Sequence, residues 1–374
     1  MLCELDKTDY EKVQPLFLPL EFQLSSLAVL GGINPGRCFV DDLADPQTAL
    51  LFSPEEVFYL AGNSENQDFN HALNQTIFNR STFGEEALIF GLASDDWVDS
   101  LVEIFSPRIP VELPRRHYVC HGSILDWRSH VPERFTVSRI TSQLLNCAEL
   151  RIPDHVYSWI RNSWGSTSWF LERGFGFVTA HGDEVVSWSL ADCVIGSYCE
   201  IGIHTVPRYR RRGLATVTAA ATVDYALSHG LSMVGWHCND ENLGSIGTAE
   251  KVGFTKERDY TMYGLFLDEV HHLAELGYHG FLKGNYHETT YYYKQVFAIQ
   301  EDLPGYHYHL VARAYAALGE ESKALEHLDA AIAHGWCDIS HTTQCKEFTE
   351  LRRTTEWSVL MARVSQTPPD NTAE

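Results

Sequence analysis

A chain of 374 residues exceeds what one hydrophobic core usually organises, so two or three domains are expected, and an apolar content of 44% is that of a folded chain rather than a disordered one. Fifty acidic against 28 basic residues give a formal charge of −22, which repels a polyanionic backbone, speaks against nucleic-acid binding, and either aids solubility or attracts a cationic substrate. No run approaches the roughly 18 uninterrupted apolar residues of a membrane-spanning helix, and the opening Met1-Leu-Cys-Glu-Leu-Asp-Lys lacks the basic and apolar regions of a signal peptide, so a cytoplasmic protein without membrane association is expected.

Residues 1–115 mix short strand-like runs with turn signals. Arg37-Cys-Phe-Val, Thr48-Ala-Leu-Leu-Phe, Val57-Phe-Tyr-Leu-Ala and Ala87-Leu-Ile-Phe-Gly-Leu are the runs, with Asn34-Pro-Gly and Gly62-Asn-Ser as turns. An α+β domain fits this pattern, and residues 107–116, with three prolines and two adjacent arginines, read as a connector. The next region, 116–267, predicts a strand (135–140), helices (142–162), a strand (174–180), a turn at His181-Gly-Asp, and strands at 185–191 and 198–206. A basic Gly-containing loop follows, then a helix (214–229), a strand (232–238), a helix (242–252) and a final strand pair within 254–266. That succession suits a mixed sheet flanked by helices. The nine cysteines are scattered, and the close pair Cys193 and Cys199 has no second pair at zinc-site spacing, so reduced structural thiols and no metal centre are expected.

From residue 268 to 374 the pattern is helical and echoes itself. Lys283-Gly-Asn-Tyr-His-Glu-Thr-Thr and Leu318-Gly-Glu-Glu-Ser-Lys-Ala-Leu place Gly284 and Gly319 at equivalent points, close to the ~34-residue period of tetratricopeptide repeats. The region resembles TPR-like helical hairpins, with Ala312, Tyr315, Ala324, Leu328 and Ala331 at small or apolar repeat positions, although Thr289 stands where alanine is usual. It would be a docking or dimerising appendage, or a surface for a protein partner. The histidines that thicken here include His307 and His309, whose i, i+2 spacing on a helix does not share a face and so does not suit a shared metal.

The stretch Ile201-Gly-Ile-His-Thr-Val-Pro-Arg-Tyr-Arg-Arg-Arg-Gly-Leu-Ala215 runs from a strand through a basic loop into a long helix. Unpaired N–H groups in a helix's first turn, with the helix dipole, suit a pyrophosphate; Gly213 lets the main chain approach, and Arg210, Arg211 and Arg212 place positive charge beside it. The glycines and lysine of a Walker loop and the first two glycines of a dinucleotide fingerprint are missing. Arg210-x-x-Gly213-x-Ala215 matches the R/Q-x-x-G-x-G/A signature of the GNAT superfamily of acetyltransferases. The stretch from Trp236-His-Cys-Asn to Glu250-Lys-Val-Gly-Phe254 resembles that superfamily's second motif. The likeness is strongest to the subgroup that includes zwittermicin-resistance enzymes, and it reaches into the N-terminal half through Leu24-Ser-Ser-Leu and Asn34-Pro-Gly-Arg-Cys-Phe-Val.

The resemblance implies an acetyl-CoA-dependent N-acetyltransferase acting on a primary amine. Its pantetheine arm would lie between two splayed strands and pair with backbone near His204, Thr205 and Val206; the pyrophosphate would meet Arg210, Arg211, Arg212, Gly213, Leu214 and Ala215. Asn242 and Ser245 would lie beside the thiol end, or cap the helix that follows, or both. Amine acetylation needs a base, because an ammonium has no lone pair. Glu200 resembles, in position, the glutamate some GNAT enzymes use directly or through water; alternation places it on one strand face with His204, and either is alternatively structural. Where many relatives carry a tyrosine as general acid this chain has Ala249, so Tyr260, Tyr263 or water would replace it. Rival readings are a non-catalytic acyl-CoA sensor or scaffold, and a protein or peptide acetyltransferase whose helical region selects the substrate.

Overall fold

Among the described residues, the apolar runs of the first two regions become twelve strands. The computed structural model describes residues 2–53, 57–79, 83, 87–122 and 125–364. The strands are β1 (Cys3–Leu5), β2 (Arg37–Val40), β3 (Thr48–Ser53), β4 (Val57–Gly62), β5 (Ala87–Leu92), β6 (Val111–Cys120), β7 (Phe135–Arg139), β8 (Gly176–His181), β9 (Glu184–Ile195), β10 (Tyr198–Thr205), β11 (Met233–Asn239) and β12 (Thr255–Phe266). They join one mixed sheet in the order β1-β2-β3-β4-β5-β12-β6-β11-β10-β9-β8-β7.

Two expectations are corrected by this order. The connector read into residues 107–116 is largely strand: β6 pairs antiparallel with both β11 and β12, so the boundary expected at residue 115 lies inside a central strand. Pro114 faces Thr261 on β12 and lies just past the end of the β6–β11 pairing, which stops at Arg115 opposite Asn239. The strand pair expected within 254–266 is a single strand, because β12 follows β6 from Thr255 to Gly264 with an irregularity at Glu257 rather than a reversal. By compactness the chain divides into Met1–Leu265 and Phe266–Glu374. The last ten residues of the expected helical region, 365–374, lie outside the described residues.

Helices cover both faces of the sheet. Leu214–Ser228 has no charged residue before Asp224, and its run of Ala, Thr and Val is buried almost all round. Such a helix is a core element rather than an amphipathic surface one. Thr218 and Thr222 satisfy their hydroxyls on the carbonyls one turn back. This helix and Leu243–Val252 pack with Trp236, Cys238 and Ile201 in one core. On the opposite face, Leu24–Leu30 lies over β9 and β10, where Leu24 and Ala28 bury Cys193.

The second unit is helical throughout its described length: Glu269–Leu282, Tyr286–Ile299, Gly305–Ala317, Glu321–Ala333, Ile339–Gln344 and Thr355–Val364, with short 3₁₀ turns between. Gly284 and Gly319 both take φ 75°, closing equivalent helix ends. The repeat-position residues Ala312, Tyr315, Ala324, Leu328 and Ala331 are all buried in this unit's core. His307 accepts from or donates to the Tyr293 hydroxyl (3.0 Å), and His309 stacks on Trp336 (4.1 Å between centroids) while meeting Thr342 Oγ1 (3.1 Å).

Burial lowers His307 to about 4 and His309 to about 3, so both are neutral in the fold and would bind protons on unfolding. The stability they contribute is present above the ordinary histidine value and is lost as pH falls. We expect the helical unit's melting temperature to drop by about 5 °C or more between pH 6.5 and pH 4, and a His307→Gln, His309→Gln double variant to flatten that slope. A scan in which the two proteins keep the same pH dependence would contradict this.

Candidate active site

The parallel pair β10 and β11 is joined over only three residues, Tyr198 to Glu200 against Met233 to Gly235. Beyond that point β10 continues to pair with β9 on its other side, from Ile201 to Thr205, and β11 continues with β6, from Trp236 to Asn239. Two strands in the middle of a sheet therefore part, each with one side of its ladder unused, and the parting begins where β9 slips register opposite Glu200 and Ile201. Backbone groups inside a protein need partners, so this gap is a place for a ligand that can supply them.

At the far end of β10 the chain turns through Pro207–Tyr209 into the arginine loop. Arg211 takes φ 62° and Gly213 φ 80°, both in the left-handed region. Gly213 meets this backbone demand without the strain of a side chain. No side chain caps the helix at Gly213, and the first bond back to the loop runs from Val217 N–H to Gly213 carbonyl (3.1 Å), leaving the first turn's N–H groups available. Arg210 Nε donates to the Thr205 carbonyl (3.1 Å), Arg212 donates to the Arg208 carbonyl (3.3 Å), and all three arginines 210–212 are exposed. Leu214 is buried under the loop and Ala215 is half-buried behind it.

Glu200 lies where the strands part, and it is 6% exposed. Its Oε1 accepts from the Leu24 N–H (2.7 Å), at the start of the Leu24–Leu30 helix, and from His237 Nε2 (3.0 Å); Cys193 Sγ lies 4.0 Å from Oε2. Burial alone would raise this carboxyl, but His237, the Leu24 N–H and His117 outweigh it and hold the group below its ordinary value. A carboxylate this well satisfied is a poor direct base. It is instead one end of a hydrogen-bonded chain, because His237 Nδ1 lies 2.9 Å from the Tyr260 hydroxyl. A carboxylate only accepts, so Nε2 carries the proton and Nδ1 of the neutral ring accepts from Tyr260.

A second imidazole backs the first. His117 stacks on His237 with centroids 4.3 Å apart and planes 9° from parallel, and its Nδ1 lies 2.8 Å from Glu257 Oε2. Burial lowers His117, and His237 beside it lowers it further. Phe22 closes the group, 5.2 Å from Tyr260, 5.9 Å from His117 and 6.3 Å from His237. Gly235 makes room for it: a Cβ there would lie 3.1 Å from Glu200 Cγ and 3.3 Å from His117 Nε2.

Of the two tyrosines expected as acids, only Tyr260 reaches this cluster. Register alternation along β12 sends Tyr263, opposite Glu112, to the other face, where burial, Glu112 and Asp95 raise its hydroxyl. His204 shares Glu200's face, as expected, but stacks on Trp188 (4.6 Å) and faces His155 (5.0 Å) further along β10. Burial first, then His155 and Arg210, lower it. Thr205 is buried and bonded to Ser187 (2.8 Å), and the Val206 N–H donates to Val186 carbonyl (2.9 Å), so that N–H already has a partner. Asn242 caps the Leu243–Val252 helix by accepting from Ser245 N–H (3.0 Å), and Ser245 Oγ accepts from Trp236 Nε1 (3.0 Å). Ala249 is fully buried in the core. His237, His117, Glu257 and Phe22 escaped the sequence reading. His237 stood inside the quoted Trp236-His-Cys-Asn strand, in step with Gly235 and Asn239, and that alternation was the available signal.

A mixed sheet whose two parallel central strands part ahead of a basic loop and a bare helix start is the fold of a GNAT acetyltransferase. The chain belongs to that family, whose model matches residues 15–263. It is 24% identical over 263 residues to YdfB of Bacillus subtilis (strain 168), itself an uncharacterized N-acetyltransferase, covering 70% of this chain and 98% of the relative. Among solved structures, a GCN5-related N-acetyltransferase-like protein from Streptococcus suis 89/1591 superposes with a TM-score of 0.53 at 23% identity, over 69% of this chain and 98% of that one, a likeness of fold. The family model begins ahead of Phe22 and Leu24, so the N-terminal segment over Glu200 lies within it.

Removing the Glu200 carboxylate would leave the buried Leu24 N–H and His237 without their acceptor. Glu200→Ala should therefore destabilise the first unit by about 2–4 kcal/mol, and Glu200→Gln by clearly less, measured by urea unfolding. Equal, near-zero changes for both would show that the carboxylate anchors nothing.

Proposed function

We propose that the protein transfers an acetyl group from acetyl-CoA to a primary amine of a small molecule, with the cofactor between β10 and β11. The observation that carries this is the pair of unused strand edges leading to the left-handed arginine loop and the uncapped start of Leu214–Ser228. The residues fit the group: Ile201 to Thr205 would offer backbone to pantetheine amides, Arg210 to Arg212 and the N–H groups from Gly213 to Ala215 would seat the pyrophosphate, and Asn242 and Ser245, already cap and tryptophan partner, would border the thiol end. Acetyl-CoA supplies an activated thioester. The family and the curated N-acetyltransferase relative support this reading, and the sequence likeness to zwittermicin-resistance enzymes favours a small-molecule acceptor. The net charge of −22 suits a cationic one.

The acceptor reaches the reacting form by losing a proton. Tyr260 is placed to take it: as its oxygen accepts from the amine, its own proton passes to His237 Nδ1, and Glu200 stabilises the resulting imidazolium through Nε2. Burial raises the Tyr260 hydroxyl, so a free tyrosinate is disfavoured and the paired transfer is the cheaper route. His117, kept neutral by burial, adds no opposing charge.

Tyr260→Phe and His237→Gln should each lower kcat roughly 10²-fold with acetyl-CoA affinity intact, and the double variant should be little worse than either, because both break one relay. The deficit should shrink at high pH as the amine loses its proton to solvent. Gly213→Val should abolish cofactor binding by calorimetry. Multiplicative losses in the double variant would overturn the relay, and undiminished binding by Gly213→Val would overturn the site.

A further inference from the structure

Two buried side-chain donors that act on Tyr260 have no hydrogen-bond partner among the described residues: Nε2 of Gln23, a residue 4% exposed, and Nε of Arg115. A buried donor without an acceptor is costly and calls for a physical reason. Strand register explains how the first of them comes to lie there. Arg115 on β6 is the direct partner of Tyr260 on β12, two residues from His117, the direct partner of His237 on β11. Direct partners share a sheet face and so do alternate residues, so Arg115, His117, His237 and Tyr260 lie on one face. Gln23 comes from the N-terminal segment, between Phe22, whose ring meets Tyr260 edge-on at 5.2 Å, and Leu24, whose N–H donates to Glu200.

The neutral hydroxyl has its hydrogen bond to His237 Nδ1 (2.9 Å), and neither Gln23 Nε2 nor Arg115 Nε bonds to it. Both nevertheless act on it: burial raises this hydroxyl most, Arg115 and Gln23 oppose burial, and Glu200 adds to it. The other charges nearby are engaged elsewhere. Arg116, one residue out of step, faces Asp259 (3.9 Å), which also meets Lys256 (2.8 Å). Glu257 holds His117 (2.8 Å), itself neutral through burial, and Arg258 covers the Phe22 ring (4.4 Å).

What the two donors lack is an acceptor, and the proton route creates one. When the Tyr260 proton passes to His237 Nδ1, the bonding electron pair stays on the phenolate oxygen, whose charge and lone pairs suit a guanidinium and an amide N–H. We propose that Arg115 and Gln23 are positioning residues that cradle the Tyr260 oxygen as it gives its proton to His237. The inference rests on the proton route proposed above. Donors already in place need no rearrangement as the charge develops.

Tyrosinate absorbance of the full chain, with the same protein carrying Tyr260→Phe subtracted, isolates this hydroxyl. It needs neither acetyl-CoA nor an acceptor, so the result stands whether or not acetyl transfer occurs, and calorimetry with acetyl-CoA tests that reading separately. A nearby cation and a donor favour the ionised oxygen, so removing either moves ionisation to higher pH. At a fixed alkaline pH the Tyr260 tyrosinate fraction should fall at least about threefold in Arg115→Met, fall also in Gln23→Met, and return toward the wild-type value in Arg115→Lys, with unchanged circular dichroism. Unmoved ionisation in both Arg115→Met and Gln23→Met, or an Arg115→Lys protein that titrates like Arg115→Met, would overturn the proposal. Should Arg115→Met not fold, the Gln23→Met titration decides alone.

Discussion

Hydrogen-bonding capacity left unmet in the middle of a sheet is the constraint on which this structure turns. Strands β10 and β11 share only three residue pairs before they separate. An exposed edge strand satisfies its spare groups with water, but these strands are flanked on their other sides by β9 and β6 and roofed by helices, so solvent is a costly substitute. The gap has to be braced from outside the two strands.

Glu200 supplies much of that brace. One buried carboxylate holds the N-terminal segment through Leu24, β11 through His237, and lies against Cys193 of β9. This is why the N-terminal strands and helices are not an accessory: they share one sheet with the site, and they contribute Phe22 and the Leu24 N–H that close it. The same satisfaction of Glu200 that stiffens the gap makes it unsuited to take a proton directly. In the proposed mechanism the proton route therefore runs along His237 to the Tyr260 hydroxyl, 2.9 Å from His237 Nδ1.

Much of the catalytic-type domain was legible because its signals are local. Arg210-x-x-Gly213-x-Ala215 announces a loop and a helix start from backbone chemistry alone, and the helix begins at Leu214 as that pattern implies. The β2, β3, β4 and β5 runs were legible from apolar bursts between turns. What local pattern could not carry is partnership across the sheet. Residues 107–116 looked like a linker because prolines and arginines dominate them, yet β6 is held between β11 and β12 by bonds to segments more than a hundred residues away. The His117–His237 stack follows from that pairing, and so does the choice between Tyr260 and Tyr263, which are separated by strand parity rather than by sequence distance.

The gap between β10 and β11, continued by the arginine loop, is the proposed seat of acetyl-CoA. Hydrogen exchange followed by mass spectrometry, with and without acetyl-CoA, addresses it most directly, because the proposed contacts are backbone amides. Acetyl-CoA should slow exchange in peptides spanning residues 201–216 and 239–245, with little change in residues 269–333. Slowed exchange confined to other segments, with residues 201–216 unaffected at saturating acetyl-CoA, would contradict it.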